Sequence, residues 1–143
     1  MTERNPALEP FEALIGTWDT EATHRLIEGV HAGWWSFEWL TGDQFLVARS
    51  HNDHELLPDA IAIIGAPESG DGLVMEYFDS RGVRRTYETA IENGVWTWWR
   101  DHPGFDQRQV ATLAADTFEV VSQLAEKPGE WKDDLKVVFR RRP

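Results

Sequence analysis

Three short stretches of this 143-residue chain carry side chains capable of chemistry. His51-Asn52-Asp53-His54-Glu55 gathers two histidines and two acids. Imidazole and carboxylate are both zinc ligands. The spacing is not the helical His-Glu-x-x-His of metalloproteases, and no helix is at hand to align the pair. An exposed polar loop accounts for the segment. Asp133 and Asp134 are adjacent, so on a strand they face opposite ways and cannot work as paired carboxylates on one substrate. Asp79-Ser80-Arg81-Gly82 could hold an anion at a rim, but a hairpin turn explains it. Gly-x-Ser-x-Gly, a phosphate loop and a dinucleotide fingerprint are all missing. The chain has no cysteine, which excludes disulfides, thiolate metal sites and cysteine nucleophiles.

The remaining chemistry is dispersed among aromatic residues, and strands would have to bring it together. Phe11 follows Leu8 at helical spacing and precedes Leu14 and Ile15; Asn5 caps the segment and Pro6 opens it. A short amphipathic helix is therefore expected over about 6–15. From Thr17 onward the helical period disappears. Strand-like runs follow at 17–27, 30–40, 44–51, 60–65, 73–78, 83–91, 95–100, 105–113, 117–125 and 131–139. Turn residues separate them, with Glu28-Gly29 marking the first turn and Asn93-Gly94 the clearest hairpin. About ten strands joined by short connections form an up-and-down meander. Such a meander closes into a barrel or leaves exposed edges, and closure removes the edges. The expected fold is all-β, a closed antiparallel up-and-down barrel in one domain spanning 1–143; an open sandwich is the alternative.

In a small barrel, alternate residues meet the interior. From Trp18 the inward phase runs through Thr20, Ala22 and His24. Trp35, Phe37 and Trp39 share a face, as do Met75, Tyr77 and Asp79. Arg85 pairs with Tyr87 in phase, Trp96 with Trp98 and Arg100, and Phe105 with Gln107 and Gln109. The third strand is ambiguous, with Arg49 in phase with Phe45 and Val47; a slip of one residue inverts any such set. The interior so read is aromatic with few polar groups, the usual character of a small-molecule pocket. The candidate ligand-binding residues are His24, Trp39, Arg49, Tyr77, Tyr87, Trp98, Arg100 and Gln107. Trp39 and Trp98 would stack on a small apolar or aromatic ligand, and Arg100, Arg49 or His24 would meet a carboxylate or carbonyl. A buried arginine needs an anion, from the ligand or from Asp79 or Asp133.

The opening Phe11-Glu12-Ala13-Leu14-Ile15-Gly16-Thr17-Trp18 resembles the start of lipocalin-like (calycin) proteins, where a short helix leads into Gly-x-Trp on the first strand. The resemblance implies that Trp18 packs across the closed end of the barrel. It also implies that a basic residue near the last strand, Arg140, Arg141 or Arg142, lies over that indole. Fatty-acid-binding proteins insert a helical lid between the first two strands, for which Glu28-Gly29 leaves no room. The chain is similar to bacterial lipocalin-like proteins and to nitrobindins. Nitrobindins hold haem through a histidine near the C-terminus; Trp131–Pro143 contains none, and no cofactor is expected. Phenolic acid decarboxylases, also lipocalin-like, suggest an enzymatic alternative with His24 as general acid or base, Tyr77 or Tyr87 assisting and Arg100 fixing a substrate acid.

The formal net charge is −11. Such a surface repels phosphate backbones and anionic membranes, so neither is an expected partner. The N-terminal residues lack a secretory h-region and no run approaches the ~18 apolar residues of a membrane span, so a cytoplasmic setting is expected. A homodimer is left open.

Overall fold

The computed structural model describes residues 3–143. A 3-10 helix over Pro6–Leu14 precedes ten strands: β1 (Gly16–His24), β2 (Ile27–Trp39), β3 (Leu46–Asn52), β4 (Ala60–Gly65), β5 (Leu73–Asp79), β6 (Arg84–Glu92), β7 (Val95–Arg100), β8 (Asp106–Thr112), β9 (Thr117–Ala125) and β10 (Lys132–Arg141). Each strand is antiparallel to the next, and β1 pairs with β10 to close the barrel. Among the described residues no ladder edge is left open, which is what a meander of this length gains by closing. No helix among the described residues is long and apolar enough to cross a membrane.

The helix keeps its expected cap, Asn5 accepting from the Ala7 N–H at 3.0 Å. The short helix expected here is of the 3-10 type. The buried residues are Leu8, Phe11 and Leu14, a period of three that suits 3-10 geometry, and Pro10 inside the segment lacks the N–H for α-helical bonding. The first hairpin also turns earlier than expected. His24 pairs with Ile27 around Arg25-Leu26, so Glu28-Gly29 lies within β2. Asn93-Gly94 does form a turn, with φ of 53° and 76°, the double positive φ of a type I′ hairpin.

Odd-to-even hairpins lie at one end of an up-and-down barrel and even-to-odd hairpins at the other. The 3-10 helix plugs the second end. There Trp18 and Trp96 are fully buried with Phe11, Phe37, Phe139, Leu46 and Ile64. Trp18 Nε1 donates to the Leu14 carbonyl at 2.9 Å, tying the indole to the helix it packs on. The Arg141 guanidinium lies 4.1 Å from the ring centroid and donates to the carbonyls of Ile15 (2.8 Å), Ala13 (2.7 Å) and Ala115 (2.9 Å). Of the three basic residues considered, Arg141 is therefore the one over the indole. Arg140 pairs with Glu21 and Arg142 with Asp19.

Candidate functional site: a cavity at the open end

The aromatic plug does not fill the barrel. Toward the other end the inward residues become smaller (Ala22, Ala48, Ser50, Ala60, Ala62, Ser122), and a cavity of about 380 Å³ opens between them. Its aromatic wall is Trp35, Tyr77, Tyr87, Trp98, Phe105 and Phe139. Its mouth is framed by Arg25 and Leu26 of the first hairpin, by Leu56, Leu57 and Pro58 between β3 and β4, and by Arg81 between β5 and β6.

Three hydrogen-bonded clusters stand out among the polar side chains that border this space. In the first, the Tyr77 hydroxyl donates to Asp79 Oδ2 at 2.7 Å. Arg81 donates to the same carboxylate through Nη2 at 2.7 Å and through its backbone N–H at 2.9 Å. Burial alone would raise the Asp79 carboxyl, but the hydrogen bonds from Arg81 and Tyr77 outweigh it and hold it at about 2. Burial, then the bond to Asp79, pushes the Tyr77 hydroxyl well above its ordinary range. In the second group, Tyr87 donates to Gln107 Oε1 at 3.3 Å. Burial raises the Tyr87 pKa while the neighbouring Arg85 guanidinium opposes the rise. Arg85 lies 5.4 Å from the Phe105 ring centroid. In the third, His24 Nδ1 accepts from the Leu26 N–H at 3.1 Å and Nε2 stands 3.3 Å from Asp134 Oδ1, which also accepts from Arg25 at 2.9 Å. With Nδ1 accepting, the ring proton of a neutral His24 sits on Nε2 and points at Asp134.

Of the residues expected at a ligand site, His24, Tyr77, Tyr87, Trp98 and Gln107 line one cavity. Trp39 shares a face with Trp35 but lies at the plugged end. Its Nε1 donates to Glu12 at 2.7 Å, and Arg4 covers its ring at 3.9 Å. Arg49 borders the cavity, but its side chain is half exposed and paired with Glu38. The inward residues of β3 are Leu46, Ala48 and Ser50, one position out of phase with the Arg49 reading. Arg100 sits opposite Gln107 in the β7–β8 ladder, close enough to influence Tyr87, but does not line the cavity. Asp133 meets Gln123, and the acid facing the cavity is its neighbour Asp134.

Sequence reasoning missed Arg85 as a site residue although its phase with Tyr87 was readable. It also missed Gln109, whose Oε1 is buried without a partner among the described residues. Among those residues no carboxylate lies within ion-pair distance of Arg85, whereas Arg81 and Arg25 each have an acid. The His51–Glu55 segment forms a shallow recess beside the cavity mouth, and Asn52 borders both. No group of three or more potential metal ligands converges among the described residues.

The fold is a closed ten-strand antiparallel barrel, plugged at one end and hollow toward the other, which is consistent with a calycin-like fold. The structure is similar to the crystal structure of Rv2717c from M. tuberculosis, with a TM-score of 0.69 over 99% of this chain and 100% of that one, at 13% sequence identity. No protein-family model matches the chain, and no curated protein matches it.

Proposed function

We propose that the barrel binds a small, largely apolar or aromatic molecule bearing a carboxylate, seated with its ring against Trp98 and Trp35 and its anionic end at Arg85. The observation that carries this reading is the Arg85 side chain, which borders the cavity with no carboxylate within ion-pair distance among the described residues, in a chain of net charge −11. Partly buried cations are retained at a cost unless something pairs with them. Tyr87 and Gln107 stand beside it as further hydrogen-bonding groups, and Gln109 offers an unpartnered buried amide oxygen. The cavity volume is at the small end of the ~300–1,000 Å³ usual for ligand sites. The lipocalin-like resemblance supports the same reading, and the acidic surface favours a small-molecule partner over nucleic acid or an anionic membrane.

An enzymatic reading with His24 as general acid or base has less support. Both its ring nitrogens are engaged, with the Leu26 N–H and with Asp134, and the Tyr77 proton is directed at Asp79. The same engagement leaves His24, the one histidine bordering the cavity, without a free nitrogen for haem iron.

The test is a tryptophan-fluorescence titration of the protein with 2-naphthoate and with 2-naphthamide, repeated on Arg85→Met and on Arg84→Met. Arg84 is exposed on the opposite face of β6 and controls for loss of charge alone. A charge-assisted hydrogen bond is worth ~1.5–3 kcal/mol, so Arg85→Met is expected to raise the naphthoate Kd roughly 10- to 150-fold. The naphthamide Kd and the Arg84→Met values should stay within about twofold of the parent protein. Equal losses for acid and amide would remove Arg85 from the proposal, and no quenching by either probe would count against an aromatic ligand.

A further inference from the structure

Between the end of β3 and the start of β4 the chain runs through seven residues, 53–59, that belong to no strand. Leu56, Leu57 and Pro58 from this segment line the mouth of the cavity. Leu57 is buried there, while Leu56 is 65% exposed. The segment is fastened at both of its ends to one side chain. His51 Nε2 meets Asp53 Oδ1 at 2.7 Å and His51 Nδ1 meets Asp59 Oδ1 at 2.8 Å.

A neutral imidazole has one N–H and one lone pair; only the imidazolium donates from both nitrogens. A ring held between two carboxylates is therefore arranged for its charged form. Losing the proton leaves a nitrogen lone pair 2.7–2.8 Å from a carboxylate oxygen, whichever nitrogen keeps the hydrogen. Backbone bonds also anchor the two ends, Asp53 N–H to the Ala32 carbonyl at 2.8 Å and Ser80 N–H to the Asp59 carbonyl at 2.8 Å, with Asp59 N–H donating to Ser80 Oγ at 3.0 Å, Asn52 N–H to Asp59 Oδ1 at 3.4 Å and Asn52 Nδ2 to the Pro58 carbonyl at 3.1 Å; between the ends, Leu56 N–H donates to His54 Nδ1 at 3.1 Å and Leu57 N–H to the His54 carbonyl at 3.0 Å.

We propose that residues 53–59 are a lid over the cavity mouth, latched while the His51 imidazole is protonated and released when it loses its proton. As a gate for a ligand this rests on the cavity being the binding site; as a latch it does not. The groups around His51 all bear on its charge. Asp53 and Asp59 favour the imidazolium, and His54 and Glu55 share the recess. Uncharged Trp34 of β2 faces the ring, with centroids 6.1 Å apart, and Ser80 of the β5–β6 turn fixes Asp59. His31 of β2 lies 4.4 Å from the His54 ring, and His31→Gln serves as a control for that neighbouring ring contact.

The bonds to Asp53, then Asp59, raise the His51 pKa above its ordinary 6.5. Because the closed-lid value is raised, the latch is complete below the ordinary value and is lost as pH rises through the elevated one.

The experiment uses the full chain without ligand. Water–amide exchange at Leu57 and Asp59 is followed by NMR from pH 5.5 to 9, each rate divided by its intrinsic rate, while the His51 ring protons are titrated in the same samples. The expected result is that protection at both amides falls with the His51 midpoint. By linkage, the fall equals ten raised to the difference between the His51 pKa in the closed lid and its ordinary value. The His31→Gln profile should be the same. Asp53→Asn should move the midpoint toward lower pH, and His51→Gln should give low, pH-independent protection. The ladder amides of Thr20 and Phe139 should stay protected throughout. Flat protection at Leu57 and Asp59 across the His51 titration overturns the proposal. So does an unchanged profile in His51→Gln, or a parallel loss at Thr20 and Phe139, which would mean unfolding.

Discussion

Asp79→Asn tests whether the rim of the cavity is held by a charged network. The carboxylate has no exposed surface, yet the Arg81 side chain covering it is itself half exposed (52%). The shell over the acid is therefore thin. Its pKa falls from the ordinary 3.8 to about 2, a difference of roughly two pH units at ~1.36 kcal/mol each. Solvent around Arg81 screens part of that, so the charged form contributes about 1–2 kcal/mol of stability at pH 7. The pKa is depressed on folding. The contribution is thus present above 3.8 and is lost as pH falls through about 2. Urea unfolding of the protein and of Asp79→Asn should show that gap at pH 7, narrowing by about half at pH 3. The variant should also bring the Tyr77 hydroxyl ionisation down toward its ordinary range. The chain has only two tyrosines, so ultraviolet titration can read that step. A gap of the same size at pH 7 and pH 3 would refute the argument, because an amide that merely packs worse does so at every pH.

Three further outcomes follow from the same geometry. Trp18→Ala should lower stability by ~3–5 kcal/mol in denaturant unfolding, since it empties the plugged end of a fully buried indole and strips Arg141 of its ring partner. Gly33→Ala should cost several kcal/mol or prevent folding, read as a shifted urea midpoint, because a Cβ there falls 2.1 Å from the His51 carbonyl oxygen. Ala62→Phe, at a buried position on the cavity wall, should abolish quenching by naphthoate while leaving the unfolding free energy within ~1–3 kcal/mol of the parent, the usual range for overpacking.

Strand periodicity was strong where one face is aromatic and the other charged. Met75 and Tyr77 against Glu76, or Tyr87 against Glu88, leave little choice of phase, and the observed strands follow them. It was weak in β3, where Leu46, Val47 and Ala48 are all buried; with apolar residues on both faces, nothing in the pattern tells Arg49 from an inward residue. Periodicity also reports which way a side chain points, but not how far along the barrel axis it lies. Trp35 and Trp39 share a face of β2, yet one borders the cavity and the other meets Glu12 by the helix. The mouth was illegible for a different reason. Leu56, Leu57 and Pro58 reach it through a loop whose course depends on ion pairs rather than on period.

The ladder between β1 and β10 governs how the chain can reach this structure. Asp19 and Arg142 meet although 123 positions separate them. Until β10 is available, β1 has only β2 beside it, and the Trp18 indole waits without Phe139 or Arg141. Contacts this distant in sequence slow folding, because the entropy of closing the loop is spent before the contact returns anything. On a ribosome the barrel would stay an open, tryptophan-bearing sheet until β10 is synthesised. The conversion to a closed, hollow molecule would come in one step, when β10 emerges and pairs with β1.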